Sequence, residues 1–259
     1  MADVMPAVFF GHGNPMNAIQ SNAFTEGWKR FGQSIPPPTA ILAISAHWYG
    51  PDLAVSGSVS PETIHDFYGF PGELFEVTWP APGSPELAER VRNLLLPVDL
   101  RFDAQRGLDH GVWAVLCHLY PKADIPVVQL SIDSRKAPEF HYEIGRLLQP
   151  LRDEGVLIVG SGNIVHNLRA YDWENENTSP FDWAVRFESV IRNFMLEGKD
   201  REVADYSSLG DDARLSVPSP DHFLPLLYVL GLRREYEQVS FPVEGIVGGA
   251  LSMLSVKVG

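Results

Sequence analysis

The sequence predicts an α/β fold: a single domain, residues 1–259, with a mostly parallel or mixed central sheet flanked by helices. Three observations predict it. The runs "AILAIS", "IPVVQLSI" and "VLIVGS" are apolar almost without a break, as strands covered on both faces are. Helix-spaced segments lie between them, and strands alternating with helices build parallel sheets. No linker, internal repeat or low-complexity stretch divides the chain.

In chain order, Val8-Phe9-Phe10 is the first strand, stopped by Gly-His-Gly-Asn-Pro. Ala40 to Ser45 is the second. Ser84 to Leu96 is a helix, with Ser84 as N-cap, Pro85 in the first turn, and Leu87, Val91, Leu94 and Leu95 on one face. "GVWAVLCHLY" is a helix in which Cys117 reads as an inert core thiol and His118 as a structural residue. Ile125 to Ile132 and Val156 to Ser161 are further buried strands. Between them Ala137 to Gly155 reads as a helix bent or shortened near Pro150. The polar stretch Tyr171 to Pro180 is a surface loop. Ser179 to Met195 and Ser219 to Gly231 are helices, the latter again with a Ser-Pro start. The C-terminal "GALSMLSVKV" alternates more and suits an edge or mixed strand.

A formal net charge of −13 argues against nucleic acid as a partner, because phosphate binding needs clustered Lys and Arg. Cys117 is the one cysteine, which excludes an intrachain disulfide and a thiolate metal cluster. The first residues lack a basic, then apolar, signal pattern, and no run approaches the roughly 20 apolar residues of a membrane span. Cytoplasmic location is the expectation. Oligomeric state is silent in the sequence.

The chemistry lies in the eight histidines. His12, His47 and His166 each follow a predicted strand, and the crevice beyond strand ends is where open α/β sheets bind ligands. His222 falls in the first turn of the helix opening at Ser219, where the partial positive charge disfavours imidazolium and keeps the ring able to ligate a metal. Taken singly, each has a plain structural reading, and Gly11 and Gly13 around His12 serve equally to make a turn. Imidazole ligands suit Zn, Cu, Fe and Ni rather than Ca or Mg. Metalloprotease helices, nucleophile elbows and Walker loops are absent, and "GSGN" (Gly160 to Asn163) lacks the full glycine fingerprint of a nucleotide site.

The motifs "GHGNPMN" (Gly11 to Asn17), "SAHWY" (Ser45 to Tyr49), "IHDFYGFP" (Ile64 to Pro71), "YPKADIPVVQLSID" (Tyr120 to Asp133), "GSGNIVHNL" (Gly160 to Leu168) and "HFLPLLYVLG" (His222 to Gly231) are similar to those of the DOPA-dioxygenase-like class III extradiol ring-cleaving dioxygenases. These are distant relatives of the catalytic subunit of protocatechuate 4,5-dioxygenase. The resemblance implies one α/β domain with a mononuclear divalent metal, Fe(II) for activity and Zn(II) as a possible occupant. It implies His12, His47 and His222 as ligands, His166 as acid–base catalyst or fourth ligand, and His110 as a histidine facing the substrate. His65 is expected to border the pocket. Trp48 and Tyr49 either line it or pack under a loop, and "HDFYGFP" reads as a lid. Where the wider superfamily has a carboxylate ligand this chain has His222, and Glu244 is the carboxylate to watch as a competing ligand.

What the resemblance implies for function is O2-dependent cleavage of a small DOPA-like catechol to a ring-opened semialdehyde. Two alternatives stay open at this point: a zinc-dependent hydrolase or amidase using the same pocket, and a non-catalytic Memo-type interaction protein.

Overall fold

A computed structural model describes residues 4–259. Its strands are β1 (Ala7–Gly11), β2 (Ala40–Gly50), β3 (Ala54–Ser56), β4 (Arg101–Asp103), β5 (Val127–Asp133), β6 (Val156–Gly162), β7 (Val239–Ser240), β8 (Ile246–Val247), β9 (Leu251–Ser252) and β10 (Val256–Val258). The helices are α1 (Ala23–Ser34), α2 (Gly72–Phe75), α3 (Pro85–Leu95), α4 (His110–Leu119), α5 (Pro138–Leu147), α6 (Pro150–Asp153), α7 (Asp182–Leu196), α8 (Asp200–Ala204), α9 (Asp211–Ser216) and α10 (Leu224–Gly231).

Among the described residues, eight strands form one sheet in the order β4-β3-β5-β2-β6-β1-β10-β7, and β8 pairs with β9 separately. The centre, β5-β2-β6-β1, is parallel. β3 joins β5 antiparallel, and β10 joins β1 antiparallel, so the sheet is mixed. The C-terminal run therefore does not make one edge strand. It breaks into β9 and β10, and β10 is flanked by β1 and β7.

The unbroken apolar runs are explained by two cores, one on each face. Val8 and Phe10, Ile41 and Ala43, and Leu157 and Val159 pack on one side with Trp28 and Phe31 of α1 and Trp113 and Leu116 of α4. Their neighbours Phe9, Leu42, Ile44 and Ile158 pack on the other with residues of α3, α5, α7 and α10. Successive strand residues point to opposite faces, so a strand buried on both must be apolar at every position.

The helix caps follow the sequence. Asn22 accepts from the Phe24 and Thr25 amides, and Ser84 caps α3 through the Leu87 amide. The Ala137–Gly155 segment breaks into α5 and α6, with Pro150 at the first position of α6, because proline there has no amide to bond back. The Ser219 start is different. α10 begins only at Leu224, and His222 lies in the turn that leads into it.

Candidate active site

The carboxyl ends of the central strands converge. Gly11 of β1 pairs with Gly162 of β6, and Ser45 of β2 pairs with Ser161 of the same strand. His12 and His47 thus emerge on either side of β6. His47 lies inside β2, which continues to Gly50 through an irregularity in its pairing with β5 between Ile44 and Tyr49. The His222 turn is held against β6: the Asn163 amide donates to the His222 carbonyl at 2.9 Å. A Cβ on Gly162 would sit 2.1 Å from that carbonyl oxygen, so glycine is what permits the approach.

His12, His47 and His222 each offer one nitrogen, all within 4.8 Å of one another. Hydrogen bonding fixes which nitrogen. The Ser161 hydroxyl donates to the Gly111 carbonyl at 2.5 Å and so accepts from His12 Nδ1 at 2.9 Å. His222 Nδ1 donates to Asp221 Oδ2 at 2.5 Å, and His47 Nδ1 faces Asp66 Oδ2 at 3.4 Å. Each Nδ1 is thereby committed to its proton, and each Nε2 carries the lone pair. His12 Nε2 and His47 Nε2 are 3.2 Å apart, a repulsive contact between two lone pairs unless a cation lies between them. Two nitrogens each ~2.1 Å from a shared ion, at angles near 90–110°, are ~3.0–3.4 Å apart. The donor set fits a divalent ion that accepts imidazole.

Burial, then the neighbouring histidines, holds His12 and His47 well below the usual histidine pKa, so both are neutral donors at pH 7. The backbone around His47 is fixed from behind. Its amide donates to Ser45 Oγ, which donates to the buried Asp109 at 2.6 Å, and Asp109 also accepts from Arg106 and Gln129.

These histidines form the floor of a cavity of ≈ 610 Å³. His110, the first residue of α4, shares it, its ring 3.9 Å from that of His47. Asp66 Oδ1 accepts from both the His110 amide (3.0 Å) and its Nδ1 (2.9 Å), which turns His110 Nε2 into an acceptor. His166 also lines the cavity, stacked on His222 with ring centres 3.5 Å apart and planes 6° from parallel. Burial, then the adjacent His222, push His166 down to about 2, so its ring is neutral at pH 7. Phe67, Tyr68 and Phe70 of the "HDFYGFP" segment form part of the wall.

The structure does not bring the remaining sequence candidates into this cavity. His65 Nε2 bonds the Val77 carbonyl at 2.9 Å while its ring packs on Phe67, Phe75 and Trp113, so it anchors the loop from behind. Trp48 lies under the Arg106 guanidinium, 4.9 Å from its ring centre. Tyr49 is outside the lining too; burial, then the charges of Asp221 and Asp133, raise its hydroxyl pKa. Glu244 pairs with Arg192 at the surface and is not a member of the histidine cluster.

Sequence reasoning missed Asp66, Asp221 and Ser161, the groups that orient the histidines. Asp66 and Asp221 are one residue from a singled-out histidine each, and Ser161 lies within a quoted motif, so adjacency was the available signal.

Comparison with known proteins bears on this site. Residues 7–249 match the family model described as the catalytic LigB subunit of aromatic ring-opening dioxygenase. The chain is 47% identical to a protein of Escherichia coli (strain K12) named 4,5-DOPA dioxygenase extradiol, covering 98% of this chain and 95% of that one. It is 38% identical to a Beta vulgaris protein of the same name, over 98% of this chain and 97% of the relative. A crystal structure of an uncharacterized Escherichia coli K12 protein superposes with a TM-score of 0.87 at 43% identity, covering 98% of this chain and 100% of that one.

Proposed function

The chain belongs to the LigB family of aromatic ring-opening dioxygenases, in its extradiol DOPA-dioxygenase branch, and from that premise we propose that it opens the ring of a small, DOPA-like catechol with O2 to give a semialdehyde. The observation that carries this reading is the set of three Nε2 donors converging on the floor of a cavity roomy enough for a substituted catechol. His12, His47 and His222 would hold the metal. Fe(II) there supplies Lewis acidity toward the catechol oxygens and the redox chemistry O2 requires, whereas Zn(II) suits the same donors without that redox chemistry.

The chain's own groups handle the protons. His166, stacked beside His222 in the cavity lining, receives a proton from a catechol hydroxyl and returns it as the ring opens. His110 Nε2, its partner nitrogen held by Asp66, accepts a hydrogen bond from the substrate. Phe67 and Phe70 keep the catechol plane against an apolar wall and exclude water from it.

Neither alternative is favoured, because the matching relatives are named dioxygenases. No helix among the described residues is long and apolar enough to cross a membrane. A lone, half-buried Cys117 supports a reducing, cytoplasmic setting.

The test is anaerobic loading with Fe(II), then oxygen uptake with a series of catechols. A yellow semialdehyde formed at one O2 per catechol is the expected result. Metal-dependent hydrolysis without oxygen uptake would overturn it. In the same assay His12→Ala should lose metal, while His166→Ala should keep full metal content and lose at least ~100-fold in turnover.

A further inference from the structure

The cavity has a direction. At its floor His12, His110 and His222 are 4%, 5% and 6% exposed, whereas at its mouth Trp173 is 62% and Tyr68 92% exposed. A catechol whose hydroxyls face the floor histidines therefore projects its ring substituent toward the mouth. Two exposed aromatic side chains meet it there from separate segments, Tyr68 from the loop before α2 and Trp173 from the segment between β6 and α7. Phe67 and Phe70 line the wall, with ring centres 5.5 Å apart. Trp173 packs on the buried Tyr171, with ring centres 4.9 Å apart. Among the described residues lining the cavity, Asp66 is the one Asp, Glu, Lys or Arg side chain.

Aromatic faces carry negative charge density and attract cations, and a carboxylate does the same. A negative side chain arriving at this mouth meets repulsion, whereas an ammonium group meets aromatic rings from both segments. The formal net charge of −13 reinforces this at long range, by steering rather than by contact.

We propose that the mouth of the cavity, where Tyr68 and Trp173 stand and Asp66 is the one charged side chain of the lining, is a subsite for a cationic side chain, so that the enzyme selects a catechol ending in an alkylammonium group over one ending in a carboxylate. The inference rests on the ring-cleaving reading above and names the substrate class within it. DOPA, which carries both charges on its side chain, satisfies half of this requirement.

The experiment compares three catechols with a common ring on the Fe(II)-loaded enzyme: 3,4-dihydroxyphenylethylamine, 4-ethylcatechol and 3-(3,4-dihydroxyphenyl)propanoate. The amine should have the highest kcat/KM, about tenfold above the propanoate, as one partly exposed cation–π contact supplies. Trp173→Leu should lower the ratio of amine to ethylcatechol. Equal or better turnover of the propanoate or of ethylcatechol, or a ratio unmoved by Trp173→Leu, overturns the proposal.

A second measurement needs no metal. Calorimetric titration of the metal-free protein should show 2-phenylethylamine binding more tightly than 3-phenylpropanoate, and the reverse order overturns the proposal independently. Cleavage of none of the catechols, with the amine still preferred in that titration, would instead sink the ring-cleaving reading and leave the subsite standing.

Discussion

At the scale of single residues, Asp66 has the most consequential position. One carboxylate receives the His110 amide and ring while facing His47, so it sets the tautomer of both rings. The neighbouring histidines outweigh its own desolvation and hold it well below the usual carboxylate range, so it remains ionised. In Asp66→Asn, one oxygen still accepts but the amide donates, and one of the two rings must turn the wrong nitrogen to the cavity. Turnover should fall ~10–100-fold at full metal occupancy, with Asp66→Glu recovering part of it, as read by steady-state kinetics alongside metal analysis. No periodic pattern signals this pairing, because Asp66 sits in an irregular loop and meets α4 across 44 positions. His12 and His47 were legible for the opposite reason. Each follows a strongly apolar run, and strand direction alone delivers them to the same crevice. Trp48 and Tyr49 were not, since β2 runs on past His47 and carries both away from the cavity.

At the scale of elements, the tight seam is between the end of β6 and the turn before α10. The missing Cβ of Gly162 lets the His222 carbonyl approach, and the neighbouring Asn163 amide bonds to it. Backbone on both sides leaves little to yield, so Gly162→Ala must move the His222 turn. The expected outcome is a stability loss of about 1–3 kcal/mol in denaturant melts, with weaker metal binding as His222 shifts relative to its two partners. This seam explains why α10 begins at Leu224 and not at the Ser219-Pro220 pair that resembles a helix start. The turn bonds through Pro220, whose carbonyl receives the Phe223 and Leu224 amides, and propensity cannot distinguish that turn from a first helical turn. The α3 start was readable because Ser84 is a working cap.

At the scale of the molecule, the buried imidazoles make the metal-free protein sensitive to acid. His12, His47 and His166 have lowered pKa values in the folded state, so below about pH 6.5 the unfolded chain binds protons that the folded chain refuses. Stability should fall as pH drops from 6.5 toward 5, by up to about 1.4 kcal/mol per pH unit for each such histidine. The lowered carboxylates Asp66 and Asp221 act in the same direction further down, their contribution being present above about pH 4 and lost as pH falls below it. Urea melts of the metal-free protein between pH 8 and 4.5 check the sign, and a flat profile would contradict it.

The strand order has a temporal side as well. β1 lies between β6 and β10, and β2 between β5 and β6, so the first strand made finds no partner until more than half of the polypeptide has left the ribosome. Pairings over such separations form late. The two early histidines consequently wait for their third companion, and the three-imidazole cluster exists only once the fold is finished.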